Sequence, residues 1–152
     1  MGQVVSLNVN SLGGVPKYPV NKIKIRYEGV EGDKQNDLKY HGGPTRAVCL
    51  FSLERIEQLQ LEGHPISVGS TGENITVKGI DWSILNSGTI ISIGEVLLQL
   101  TDTAPPCKTI IKSFSDGKFS RILEKNYPGW SRWYASVVKE GEVNSNDVVS
   151  LE

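Results

Sequence analysis

Ala47-Val48-Cys49-Leu50-Phe51 is an unbroken apolar run, followed at once by Ser52-Leu53-Glu54-Arg55-Ile56. A strand with one wet face alternates apolar and polar residues, so a run without alternation predicts a strand covered on both faces. Ser52 offers an N-cap hydroxyl to a helix in which Leu53, Ile56 and Leu59/Gln60 share one side. Gly63 and His64-Pro65 end that helix. A doubly covered strand feeding an amphipathic helix places the core of the domain here.

Working outward, period-two alternation appears upstream in Val5, Leu7 and Val9, and in Ile23, Ile25 and Tyr27 between Lys22, Lys24 and Arg26. Downstream, strands are expected at Asn74 to Lys78, Thr89 to Ile93, and Glu95 to Thr101, where Val96, Leu98 and Leu100 alternate. Gly88 and Gly94 mark turns. Lys108 to Lys125 reads as two short helices broken at Asp116-Gly117. Strands return at Trp133 to Val138 and Asp147 to Leu151, joined by a turn containing Gly141. The expectation is one domain over residues 1–152, mostly β with a few short helices. Its strands would form a closed or partly open β-barrel, because closure removes exposed edges.

Composition narrows the function. The 152 residues carry 16 Lys+Arg against 17 Asp+Glu, which provides no global electrostatic attraction to nucleic acid or to an anionic membrane surface. No apolar run approaches the roughly 20 residues of a membrane-spanning helix. Two cysteines, Cys49 and Cys107, and two histidines, His41 and His64, exclude a disulfide scaffold and a metal cluster built from many protein ligands. The 16 Gly and 7 Pro fit many turns between short strands. Met1-Gly2-Gln3-Val4-Val5-Ser6 lacks the pattern of a secretory signal. It matches the loose N-myristoylation pattern, but reads more simply as a first strand. Asn74-Ile75-Thr76 is a formal sequon without a secretory route, and sparse cysteines suit a reducing cytoplasm.

Three polar stretches lie where strands end. Gly29 to Arg46 is long for a loop in a compact domain and offers carboxylates, the His41 imidazole and the Arg46 guanidinium. Thr71-Gly72-Glu73-Asn74 supplies a carboxylate, and an amide that could orient a ligand or brace the long loop. Both stretches are also ordinary turn-forming sequence. The third, Thr101-Asp102-Thr103-Ala104-Pro105-Pro106-Cys107-Lys108, has two prolines that stiffen the chain before a cysteine. Cys49, inside an apolar strand, reads as an inert core thiol. Cys107, at an expected helix N-terminus beside Lys108, reads as a nucleophile, a sulfur carrier or a soft-metal ligand, and the local sequence fits an incidental loop cysteine equally well.

The order of these stretches resembles the MOSC domain family, named for the C-terminal domain of molybdenum cofactor sulfurase. The matching residues are Gly32-Asp33-Lys34, His41-Gly42-Gly43-Pro44-Thr45-Arg46-Ala47-Val48, Gly72-Glu73-Asn74-Ile75-Thr76-Val77 with Gly79-Ile80-Asp81, and Pro106-Cys107-Lys108. Trp133-Tyr134, Val138, Gly141, Val143, Asp147, Val149 and Leu151 extend the match to the C-terminal strands. The resemblance implies a β-barrel of the MOSC type and a molybdenum cofactor (molybdopterin), with Cys107 as the molybdenum ligand. It further implies reduction of N-hydroxylated bases or amidoximes, or alternatively carriage of cofactor or sulfane sulfur with Cys107 as the persulfide site. Under the first reading His41 and Glu73 handle protons, while Arg46, Asn74, Lys108 and Arg121 bind the pterin and its phosphate. An external electron-donor protein or a cofactor-accepting enzyme is then the expected partner, with no pyridoxal-phosphate domain, nucleic acid or membrane involved. Two positions depart from the family pattern. Ala104 stands where many members carry arginine, and Thr45 where many carry aspartate. A third reading takes Trp130, Trp133 and Tyr134 with Arg132 as a base-stacking surface, against the alternative of a C-terminal core cluster.

Overall fold

The apolar run forms strand β5 (Val48–Ser52), and all of its residues are buried. In this computed structural model, which describes residues 1–34 and 43–152, β5 lies between two partners. It pairs antiparallel with β9 (Arg132–Lys139) and parallel with β6 (Ile75–Lys78). The parallel β5–β6 pair requires a crossover, and helix α1 (Leu53–Leu61) provides it. Ser52 caps α1 by accepting from the Arg55 amide at 3.2 Å. Ile56 and Leu59 are the residues of α1 that reach the core.

The other strands complete a ring. β1 (Gly2–Val9) pairs with β6 along one side and, at Gly2 and Gln3, with β11 (Val148–Leu151) on the other. From β11 the order runs through β7 (Ile90–Ile93) and β8 (Val96–Ala104) to β9, then β5, β6 and back to β1. The result is a seven-stranded closed barrel. The short strand β2 (Tyr18–Val20) adds to the far half of β1. β10 (Gly141–Asn144), β3 (Lys22–Arg26) and β4 (Gly29–Val30) form a separate three-stranded sheet. The barrel interior is filled by fully buried aliphatic side chains, among them Leu7, Leu50, Ile75, Ile93, Leu98 and Leu100. Each is worth about 1.5–3 kcal/mol relative to exposure.

Four local expectations are corrected. The inward residues of β1 are Val4, Leu7 and, partly buried against the core, Val9, so Val4 takes the place expected of Val5. A register shift against β6 between Val4 and Ser6 inserts a bulge that resets the alternation. Tyr27 is 54% exposed because β3 ends at Arg26. Gly141 opens β10 rather than sitting in a turn. The expected pair of helices after Cys107 is instead a chain of short 3-10 turns at Lys108–Ser113, Ser115–Gly117 and Phe119–Ile122, with non-helical backbone at Ile110 and Asp116. No described helix is long and apolar enough to cross a membrane.

Candidate functional site

Opposed residues in an antiparallel pair share a face, so β5 and β9 sort their side chains to two sides. Leu50 lies opposite Trp133 and Val48 opposite Ala135, and all four belong to the main core. Cys49 lies opposite Tyr134 on the other face, where the two pack with Ala104 in a small separate cluster. Arg132 precedes Tyr134 by two residues and therefore shares its face.

Above that cluster lies a cleft of about 190 Å³. Its cations are Lys17, Lys34, Arg46 and Arg132, its sulfurs Cys49 and Cys107. Val15, Ile110 and Tyr134 supply apolar and aromatic surface, while Gly14, Thr71, Gly72 and Thr109 complete the described wall. No aspartate or glutamate lines it among the described residues. A larger cavity of about 350 Å³, beside the β3–β4 hairpin, contains both signs of charge, including the exposed Arg26–Glu31 pair, and no sulfur.

Cys107 is half-buried at the mouth of the first 3-10 turn, with Sγ 2.9 Å from the Thr109 hydroxyl. The α-helix N-terminus expected to activate it is absent, because the turn is short and kinked at Ile110. Cys49 fits its reading as an inert thiol: burial pushes it up to about 11. It does, however, border the cleft. Burial likewise holds the Tyr134 phenol above its ordinary range. The Arg46 guanidinium lies 5.3 Å from the centre of the Tyr134 ring, a cation–π contact that holds it at the wall.

The other expected site residues divide. His41 lies outside the described residues. Glu73 is fully buried and lines no part of the cleft. Its carboxylate accepts from the Gly69 amide at 3.0 Å, the Thr71 hydroxyl at 2.9 Å and the Thr76 hydroxyl at 3.0 Å. Burial raises its pKa above the usual carboxylate value, although those donors oppose the shift. Asn74 is also enclosed: Oδ1 accepts from the Cys49 amide, and Nδ2 donates to Asn8 O and Asp33 Oδ2. Of its two open roles, the brace is the one the structure shows. Lys108 is exposed and outside the cleft lining. Arg121 is bound elsewhere, to both Glu62 oxygens at 2.8 and 2.9 Å and against the Tyr127 and Trp130 rings.

The stacking surface is not present as one face. Trp133 and Tyr134 are buried on opposite sides of β9, and Trp130 lies between the Arg55 and Arg121 guanidiniums at 4.3 and 4.1 Å. Two cations of the cleft escaped the sequence reading. Lys17 lies in a loop remote from every motif, and Arg132 was taken only as a companion to aromatics. A charged residue heading the otherwise buried run Trp133-Tyr134-Ala135 was the available signal.

Two tight glycine turns build the far wall. Gly69 has φ +81°, and a Cβ there would lie 2.4 Å from Lys17 O. Gly72 has φ +86°, and its Cβ would meet Val15 at 2.8 Å. Only glycine permits that backbone and that approach, so the 69–74 turn can close on the 15–17 loop.

Comparison with known proteins agrees with this architecture. The chain is 32% identical over 133 residues to the uncharacterized protein YflK of Bacillus subtilis, covering 86% of this chain and 59% of that one. It is 30% identical over 131 residues to the protein YiiM of Escherichia coli, covering 81% and 56%. The chain thus spans little more than half the length of these curated relatives. Among solved structures, that of Escherichia coli YiiM superposes with TM-score 0.74 at 23% identity, over 100% of this chain and 70% of that one. The YUAD protein of Bacillus subtilis superposes with TM-score 0.76 at 19% identity, over 98% and 94%. At those identities the likeness is one of fold. The family model for the MOSC domain matches residues 37–150, and the chain belongs to the MOSC domain family.

Proposed function

We propose that the cleft binds a molybdenum cofactor, with Cys107 as its protein sulfur ligand, and that the protein reduces N-hydroxylated bases or amidoximes. The observation that carries this reading is the pairing of one accessible sulfur with a wall of cations and, among the described residues, no carboxylate. Among the described residues no group of three or more His, Cys, Asp and Glu side chains is placed to hold a metal ion. The chain therefore suits a metal that arrives with most of its own ligands and needs one thiolate from the protein.

The residues present fit such a group. Cys107 provides the soft donor at the mouth. Arg46, fixed over Tyr134, and Lys34 offer charge to an anionic pterin tail, and Val15, Ile110 and Tyr134 offer surface to its flat apolar part. Lys108, on the exposed side of the Cys107 turn, would act only through long-range charge. When bound, the cofactor supplies the two-electron, oxygen-accepting chemistry. The overall conversion takes two electrons and two protons, breaks the N–O bond, and yields the amine or amidine and water. The electrons come from an external donor protein. Glu73 has no direct part, because its carboxylate is enclosed by Gly69, Thr71 and Thr76. Instead it shapes the turn carrying Thr71 and Gly72 to the cleft.

Two measurements on protein from a molybdenum-replete host test this reading. Wild type should carry molybdenum, and Cys107→Ser should lose it. Equal content in both, or none in either, overturns the ligand assignment. With an added reductant, wild type should convert 6-hydroxylaminopurine to the amine, and Cys107→Ser should not. A second reading, a carrier of sulfane sulfur, draws on the same placement, since cations beside Cys107 suit an anionic persulfide. Mass spectrometry detecting a persulfide on Cys107, without reductase turnover, selects the carrier.

A further inference from the structure

The turns that follow Cys107 carry a charge that the chain as a whole does not. Residues 108–125 contain five of the 16 basic residues and only two of the 17 acidic ones. Two of those charges are already engaged: both Glu124 oxygens accept from the Gly129 amide, and Arg121 is bound to Glu62. What remains is Lys108, Lys112, Lys118 and Lys125, all exposed, against Asp116. Among the described residues none of these four lysines has an ion-pair partner. Apolar surface lies among them. Ile111 is 44% exposed, beside Lys112 in the chain and in contact with Gly117, where an added Cβ would meet its side chain at 2.9 Å. The first 3-10 turn packs against the two that follow, so the segment forms one shoulder of the barrel. That shoulder borders the cleft, because Cys107, Thr109 and Ile110 line it from the same stretch of chain.

Unpaired cations around an exposed apolar side chain suit a short-lived protein contact: the charge steers the encounter, and the small apolar centre seats it. We propose that the 108–125 shoulder is the docking face for the electron-donor protein, and that the donor presents carboxylates around its redox group. The inference rests on the reductase reading above, which requires electrons from outside this chain. A protein fits the shoulder better than a nucleic acid does. Single strands need exposed rings on which bases stack, whereas the aromatic residues of this segment, Phe114 and Phe119, are buried or packed on the core. The other row of exposed cations, Lys22, Lys24 and Arg26 on β3, is balanced by carboxylates: Lys24 lies opposite Glu142, and Arg26 pairs with Glu31. It therefore presents no comparable field to an acidic partner.

The test uses the full chain, with a flavodoxin as the probe because it is an acidic one-flavin electron carrier. Added to isotope-labelled chain at low salt, it should shift the amide NMR signals of residues 108–125, and raised salt should reverse the shifts. Lys112→Glu with Lys118→Glu should weaken binding about tenfold or more, whereas Lys22→Glu with Lys24→Glu, the same charge change on β3, should leave it unchanged. In molybdenum-loaded protein the first pair should lower kcat/KM for reduced flavodoxin by a similar factor. Turnover driven by reduced methyl viologen, a small cation that needs no protein dock, should be unaffected. No binding, shifts confined to other residues, or equal losses in the two double variants overturn the docking face. So does a single-stranded oligonucleotide that binds the same lysines more tightly than flavodoxin. Viologen-driven turnover without flavodoxin binding overturns this inference and leaves the reductase reading standing. Lysine-dependent flavodoxin binding without turnover by either reductant upholds the acidic-protein dock and overturns the reductase reading.

Discussion

Lys17 Nζ lies 2.5 Å from Asp33 Oδ2, with the two side chains only 5% and 3% exposed. Asn74 Nδ2 donates to the same oxygen at 2.9 Å, and the Asn10 amide donates to Asp33 Oδ1 at 2.9 Å. One carboxylate thus ties together the loop after β1, the segment after β4 and the turn before β6. Those pieces form one side of the cleft, and their positions depend on a charge pair hidden from water.

Breaking that pair from one side should be costly. Lys17→Met leaves Asp33 buried without its cation and is expected to cost about 3–5 kcal/mol, whereas Lys17→Met with Asp33→Leu should cost less than the single change. Urea unfolding of the three proteins checks this. A single variant as stable as wild type would contradict the pair's role.

The two cysteines should differ sharply toward alkylation. Cys49 is buried, and its thiol is pushed from 9.0 up to about 11. That shift alone leaves roughly a hundredfold less thiolate near neutral pH. Peptide mapping after brief iodoacetamide treatment should find Cys107 modified and Cys49 intact. Rapid modification of Cys49 in folded protein would refute the packing.

Glu73 should reveal itself through pH-dependent stability. Its folded pKa is raised above 4.5 because it is buried, so above that value the native state holds more protons than the unfolded chain. Stability from this group is present below the unfolded pKa and lost as pH rises through the folded pKa. Glu73→Gln keeps an acceptor for the Gly69 amide and removes the titration. Its denaturation midpoint should therefore gain on wild type as pH rises from about 4 toward 7. Glu73→Ala leaves the Gly69 amide unpaired and should cost about 1–3 kcal/mol.

Arg121 should matter for stability and not for metal. It clasps Glu62 in two hydrogen bonds and stacks on Trp130, linking the end of α1 to the last 3-10 turn. Arg121→Gln is expected to cost about 1–2 kcal/mol in thermal unfolding, from a lost cation–π contact and a partly exposed ion pair. Molybdenum content per folded protein should not change. A selective loss of molybdenum would restore the cofactor-binding role expected from its sequence.

Much of the barrel was legible along the chain because its signals are local. The run Val48 to Phe51 needs cover on both faces, Ser52 caps its own helix, and Val96, Leu98 and Leu100 alternate into the core as their order predicts. The first half of β1, where Val4 and not Val5 faces inward, was not legible, since its bulge depends on how β6 pairs with it. The turns after Cys107 were misread for a related reason. Their apolar residues, Ile110, Phe114 and Ile122, are spaced for a helix, but Ile110 and Ile122 are buried from separate short turns and Phe114 from the extended residue between two of them.

The site divides along the same line. The order of motifs by itself determined the family and singled out Cys107, because residue identity and spacing are properties of the chain. Whether a polar residue faces the cleft or supports it from behind is decided by pairing across the sheet. That pairing brings Arg132 and Lys17 to the cleft from elements far apart in sequence, and encloses Glu73 and Asn74 with hydrogen bonds of their own. A carboxylate or amide in a turn carries no mark of which it will be. The distinction rests on which donors the closed barrel places within about 3 Å of its oxygens.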